Sequence, residues 1–281
     1  MSIDTPASIA IIGAGPVGLE AALYARFLGY DVQVFERGAV AENLRKLAAE
    51  ETRLPAGRCC SPLGLRALCA QDPNWEPPAL DSLWTPRELV ENYLAPLAQS
   101  DLLSGYVAEH TRVLDIRRME PEAVDESDKP DESMSDDDAY DDDAAEYEVV
   151  EYEEEPPRLP PLRVTMQGSD GAQTTFDADI VIDASGSSAD STFLANVNIE
   201  RTATSGRPVS HGDAATHGAA AELVLSEPNF YILGSKSRGR EPGDFQIIDG
   251  LRQIRDLFGL IGGRASLDLY QDFNRMREAV E

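Results

Sequence analysis

The stretch from Ser8 to Glu36 constrains the fold more than any other. An apolar run, Ile9-Ala10-Ile11-Ile12, leads into Gly13-Ala14-Gly15-Pro16-Val17-Gly18. A helical segment follows with Ala21, Ala22, Ala25 and Leu28 on one face and a stop at Gly29, and a second apolar run, Val32-Gln33-Val34-Phe35, closes on Glu36. Each glycine answers a different steric demand. Gly13 permits a tight turn off the strand, Gly15 lets backbone approach a pyrophosphate, and Gly18 lets the helix pack closely on the sheet, its dipole facing the phosphates. Glu36 is placed to accept from ribose hydroxyls. Its carboxylate repels a 2′-phosphate, so the pattern predicts a Rossmann nucleotide-binding unit for FAD or NAD rather than NADP.

At 281 residues the chain can bury a sizeable core. Its net charge of −27 is uneven: residues 120–155 hold 19 Asp and Glu against Lys129 alone, leaving −9 for the rest. No basic stripe runs along the sequence, which argues against nucleic-acid or membrane partners. The three cysteines, Cys59, Cys60 and Cys69, are too few and odd in number for a secreted disulfide framework, so a cytoplasmic setting is expected. Asp4 near the start, and Glu20 and Arg26 within the first apolar stretch, argue against a signal peptide or a membrane span.

After Glu36 the sequence reads as polar and irregular to about Asp81. A helix is then expected from Thr85, which with Glu88 forms a capping box around Pro86, and its apolar face is Leu89, Tyr93, Leu94 and Leu97. Residues 110–116 alternate like a strand. Beyond the acidic run the alternation resumes over Leu162–Met166, a Gly168–Gly171 turn and Thr174–Phe176, followed by the apolar Ile180-Val181-Ile182 leading to Asp183-Ala184-Ser185-Gly186. This predicts a β-meander returning to the parallel sheet, interrupted by an acidic insertion whose composition predicts disorder. That insertion reads either as a solvated loop or as a docking segment for a basic protein partner. Residues 187–227 are loop-rich. Asn229–Gly234 reads as a final strand, residues 247–261 as a helix with Leu251, Ile254, Leu257 and Phe258 at helical spacing, and a last helix is expected from about Ser266.

Together these features resemble the FAD-dependent pyridine-nucleotide oxidoreductases and flavin monooxygenases built on two dinucleotide domains. The resemblance rests on Gly13 to Glu36, on Asp179 to Gly186 with Ser185 at the family's threonine position, and on Pro228 to Gly234 with the helix after it. It implies an α/β fold, a Rossmann-like FAD-binding domain of parallel sheet with β-meander. The expected division is residues 1–118 and 158–281 as the two parts of that domain, with residues 119–157 as the acidic insertion. It further implies an oxidoreductase flavoprotein with a small-molecule substrate, in which Gly13, Gly15, Pro16, Gly18, Glu36, Val113, Gly186, Gly234 and Ser235 bind FAD. By the same analogy backbone at Arg112-Val113 lies against the adenine and the loop from Arg58 to Pro62 approaches the isoalloxazine. Two departures stand out. The family's last strand ends in Gly-Asp, where this chain has Gly234-Ser235-Lys236. The family also inserts an NAD(P)H-binding domain after the Ala-Ser-Gly strand, and the interval of about forty residues between Gly186 and Pro228 is too short for one.

No catalytic residue follows from the sequence. Adjacent Cys59 and Cys60 form only a strained ring and read as a buried thiol pair before a redox pair. His211, Asp213 and His217 have the residue types of metal ligands but read first as a loop. Lys236, Arg238 and Arg240 read equally as a solvated basic loop or as cations facing a flavin or an anionic substrate. Three functions remain open: an FAD oxidoreductase, a non-catalytic flavin- or dinucleotide-binding protein whose acidic arm recruits a partner, and a Rossmann protein using NAD alone.

Overall fold

A computed structural model of the chain describes residues 6–47, 53–120, 159–186, 191–197, 223–238, 246–264 and 266–271. Outside them lie residues 121–157 of the acidic insertion, the His211, Asp213 and His217 group, Arg240, and residues 272–281, onto which most of the last expected helix falls.

In chain order the elements are β1 (Ser8–Ile12), α1 (Pro16–Phe27), β2 (Asp31–Phe35), α2 (Glu42–Lys46), β3 (Leu54–Pro55), α3 (Ala56–Cys59), α4 (Pro62–Gln71), β4 (Leu83–Trp84) and α5 (Pro86–Leu89). A π-helical turn, Val90–Leu94, joins α5 to α6 (Ala95–Ala98). There follow β5 (Val107–Ala108), β6 (Arg112–Arg118), β7 (Leu162–Gln167), β8 (Gln173–Ala178), β9 (Ile180–Asp183), β10 (Phe230–Ile232) and α7 (Ile247–Ile261).

The central sheet has the order β10-β9-β1-β2-β5 and every pairing is parallel. The chain winds from β1 toward β2 and returns on the other side of β1 as β9, so the order reverses beside β1. Ligands of open parallel sheets bind at such a reversal, outside the C-terminal strand ends. The sheet is covered on both faces, which is why β1 and β9 read as unbroken apolar runs. Ile9 and Ile11 face the helical layer of α1, α4, the α5–α6 segment and α7. Ala10, Ile12, Phe35 and Val181 face the antiparallel meander β6-β7-β8, where Val113, Ile116, Val164 and Met166 meet them. The rings of Tyr24 and Phe258 stack at 5.2 Å and join α1 to α7.

The structure corrects the sequence reading between Glu36 and Asp81. This stretch contains a ten-residue helix, α4, whose first turn is capped by Ser61 Oγ accepting from the Gly64 N–H at 2.8 Å, with Pro62 just inside. The helix expected from Thr85 forms with both capping-box bonds, then widens into the π turn. Helix α7 begins at Ile247 after Gln246.

Candidate functional site

At the reversal point the three glycines of the first loop stand in three different environments. Gly13 has φ +100°, and a Cβ there would meet Ala184 O at 2.8 Å, so only glycine fits between β1 and the end of β9. Gly18 is tighter still, its Cβ position lying 1.9 Å from Gly13 O. Gly15 has nothing within 4 Å of its Cβ position. It precedes α1, which starts with Pro16 and has no side-chain cap. The helix N-terminus therefore presents backbone N–H groups and its positive dipole end to an open space.

A cleft beside this loop is lined by Ile12, Gly13, Glu36, Arg37, Val113 and Ser185, among others; its enclosed part is small, about 60 Å3. Glu36 is held there by backbone: Oε2 accepts from the Ala14 N–H at 2.8 Å and Oε1 from the Gly38 N–H at 2.9 Å. Each oxygen keeps a further lone pair for a hydroxyl donor. Val113 enters from β6 at a bulge, where the register with β7 slips between Val113 and Asp115.

The β9–β10 side of the rim is different. Asp183 is fully buried at the end of β9, where its Oδ2 accepts from Lys236 Nζ at 2.7 Å. Its Oδ1 accepts from the Ser185 N–H and hydroxyl, at 3.0 and 2.5 Å. Lys236 also stands 5.4 Å from the centre of the Phe193 ring. The α7 side chain Gln253 fixes the turn that carries this lysine, accepting from the Gly234 N–H and donating to Ser237 Oγ, each at 2.7 Å. Lys236 is thus a structural cation tied to Asp183, and the solvated-loop reading does not hold for it. The spacing of Lys236 from Asp183 gave no sequence signal, because the pair crosses between strands.

Of the residues singled out from the sequence, Gly13, Glu36 and Val113 line the cleft, and Gly15, Pro16 and Gly18 form the helix start beside it. Gly186 (φ +79°), Gly234 (φ +83°) and buried Ser235 sit on the neighbouring strand-end turns, outside the cleft lining. Cys59 and Cys60 are buried in the helical layer. Burial pushes the Cys59 thiol up to about 11 and that of Cys60 higher still, the opposite of what a reactive thiolate requires. Among the described residues no group of three or more His, Cys, Asp or Glu is arranged to hold a metal ion.

Residues 8–51 match the family model described as pyridine nucleotide-disulphide oxidoreductase, in keeping with the resemblance carried by Gly13 to Glu36. Among solved structures the chain is similar to bacillithiol disulfide reductase Bdr (YpdA) from Bacillus cereus, at 11% identity and TM-score 0.53, covering 92% of this chain and 100% of that one. That likeness shows the fold: an α/β architecture with a Rossmann-like parallel sheet. Two further similar structures are OTEMO in complex with FAD and NADP (18% identity, TM-score 0.38, 66% of this chain) and S-allyl-L-cysteine S-oxygenase from Allium sativum (16%, 0.36, 65%). The chain spans only 27% and 37% of the lengths of those two proteins. No curated protein matches the chain.

Proposed function

We propose that the chain is an FAD-binding oxidoreductase acting on a small-molecule substrate in a cytoplasmic setting. The observation that carries this reading is the glycine loop: Gly13 and Gly18 are packed against backbone while Gly15 leaves open space in front of an uncapped helix start. Those features suit a pyrophosphate, which needs N–H donors and no side chain in its way. Glu36 would take the ribose hydroxyls, Val113 backbone the adenine, and Gly186, Gly234 and Ser235 the ribityl side. Bound FAD supplies two-electron redox chemistry, and the chain binds, orients and shields it. Lys236 neutralises Asp183 in this arrangement and holds the 234–237 turn in place.

The absorption spectrum of the purified full chain tests the reading. Flavin bands, with FAD released on denaturation, support it; a colourless protein that binds NAD overturns it in favour of the NAD-only alternative. A second reading, a non-catalytic flavin-binding protein with an acidic docking arm, draws on the short interval between Gly186 and Pro228. Positioning a nicotinamide against a flavin contributes several kcal/mol of barrier lowering, on the order of 7 or more. Because the interval between Gly186 and Pro228 is too short to hold a second Rossmann unit that would do this, anaerobic stopped-flow reduction should depend weakly on NADH or NADPH and not saturate. Rapid bleaching that saturates at micromolar NADPH would show that a nicotinamide site exists.

The flanks of the acidic segment sit away from the cleft. Arg112 and Val113 line the cleft at one end of β6, whereas Arg118, at the other end, pairs with Leu162. A basic protein held by that segment would therefore approach at the opposite edge of the meander from the dinucleotide site.

A further inference from the structure

Both tryptophans of the chain, Trp75 and Trp84, line one cavity of about 440 Å3 that shares no residue with the dinucleotide cleft. Each is half-buried and packs against the helical-layer core, so the ring positions are fixed from behind. Pro78 and Pro96 add apolar rim, Glu76 and Glu91 add two carboxylates, and among the described residues no Lys, Arg or His lines the space. The backbone supplies an independent pointer. Glu91 and Asn92 belong to the π turn Val90–Leu94, whose Val90, Tyr93 and Leu94 are buried while these two are exposed. π turns are rare interruptions of α-helices and are frequent at functional sites. Here it delivers the polar lining of the cavity.

We propose that this cavity binds a small organic cation of the alkylammonium class. Indole is the side chain whose face attracts a cation most strongly, and the attraction grows as the pair is withdrawn from water. Glu76 and Glu91 supply long-range attraction and repel anions, and the chain's charge of −27 acts in the same sense. The volume lies within the range of small-molecule sites. A neutral apolar guest of the same shape would gain the ring contacts but nothing from the carboxylates.

Titration of the full chain with choline, followed by tryptophan emission at constant flavin content, tests this directly, because both tryptophans line the cavity. The comparison ligand is dimethylbutanol, the uncharged carbon isostere of choline. The expected result is a saturable emission change with choline, binding of the alcohol about tenfold weaker or worse, and a selective loss of choline affinity in Glu91→Gln. Trp84→Leu should lose choline binding while the remaining Trp75 still reports. Equal affinity for the two ligands, no saturable response to choline, or a Glu91→Gln variant that binds choline as well as the parent chain would each overturn the proposal.

Discussion

At the C-terminal edge of the parallel sheet, the β1–α1–β2 side offers bare backbone to a ligand, whereas the β9–β10 side is tied up in side-chain bonds. On the first side Gly15 faces open space and the helix start has no cap. On the second, Asp183 is fully buried and bonded to Ser185 and Lys236, and the turn bearing Lys236 is clamped by Gln253. Backbone recognition depends on what is missing, namely side chains at a few positions. Side-chain closure depends on what is present and where two strands bring it together. The first kind of rim is built to receive a group, and the second to hold itself in shape.

Gly15→Val gives the largest effect expected from that contrast. Gly15 has φ −77°, which any residue adopts, and its Cβ direction is clear for 4 Å, so valine should fold in place at a cost of about 1 kcal/mol for a poorer helix N-cap. It would fill pyrophosphate space all the same. Flavin content should fall to nothing while the melting temperature changes little, and retention of flavin by this variant would break the distinction between the two sides.

Lys236→Met probes the other side. It leaves the Asp183 carboxylate buried without its cation, a change worth about 3–5 kcal/mol of stability. Asp183→Asn placed on top of it should recover much of that loss. Urea denaturation of the single and double variants measures both. A Lys236→Met protein as stable as its parent would mean that the pair contributes no closure, and the two sides would then differ only in sequence.

The same asymmetry explains what was legible beforehand. Gly13 to Glu36 announced itself because backbone recognition needs glycine at fixed spacing, and spacing is visible in one dimension. The meander strands and α7 were legible from alternation and helical periodicity, and the Thr85–Glu88 box from its local pattern. Helix α4 was missed although Ser61-Pro62 is a start signal, because Gly64 sits in its first turn and weakens the helical reading. The reason for that glycine is remote: a Cβ there would lie 2.0 Å from the Tyr93 hydroxyl. Lys236 and Asp183 likewise meet across 53 positions of sequence, with no local pattern to betray them.

Helix α1 carries both kinds of chemistry, and its buried side Glu20 sharpens the comparison through pH. Burial raises the Glu20 carboxyl from 4.5 to about 7, and the nearby hydroxyls of Ser61, Tyr270 and Tyr93 pull it back only in part. Glu20 Oε1 and the Tyr270 hydroxyl are buried with no hydrogen-bond partner among the described residues. Because the folded value lies above the unfolded one, the native state binds the extra proton. The contribution of Glu20 to stability is then greatest below 4.5 and is lost as pH rises through about 7. The loss amounts to about 3 kcal/mol at 1.36 kcal/mol per pH unit. Glu20→Gln should remove this slope, so the variant and its parent match in mild acid and the variant is the more stable in mild alkali. Parallel slopes for the two proteins would show that Glu20 stays ionised when buried.

The smallest expected effect comes from deleting residues 121–155, and it separates the strand-end rim from the far edge of the meander. The chain on either side of the insertion is already closed without it. The Met119 N–H donates to Pro161 O at 3.0 Å, and Arg118 donates through Nε to Glu227 at 2.6 Å, through one terminal nitrogen to Pro160 O at 2.6 Å, and through the other to Pro228 O. Shortening a loop several-fold lowers its closure entropy by about 1.5 kcal/mol at about 0.6 kcal/mol per halving. The deletion also removes most of the −27 charge, since residues 121–155 carry −17 of it, and with that much self-repulsion. The truncated protein should therefore be slightly more stable and keep its full flavin content, as read by thermal melts and by FAD released per chain. Loss of flavin would mean that the insertion reaches the cleft despite leaving β6 at the opposite end, and the assignment of residues 119–157 as a separate unit would fall with it.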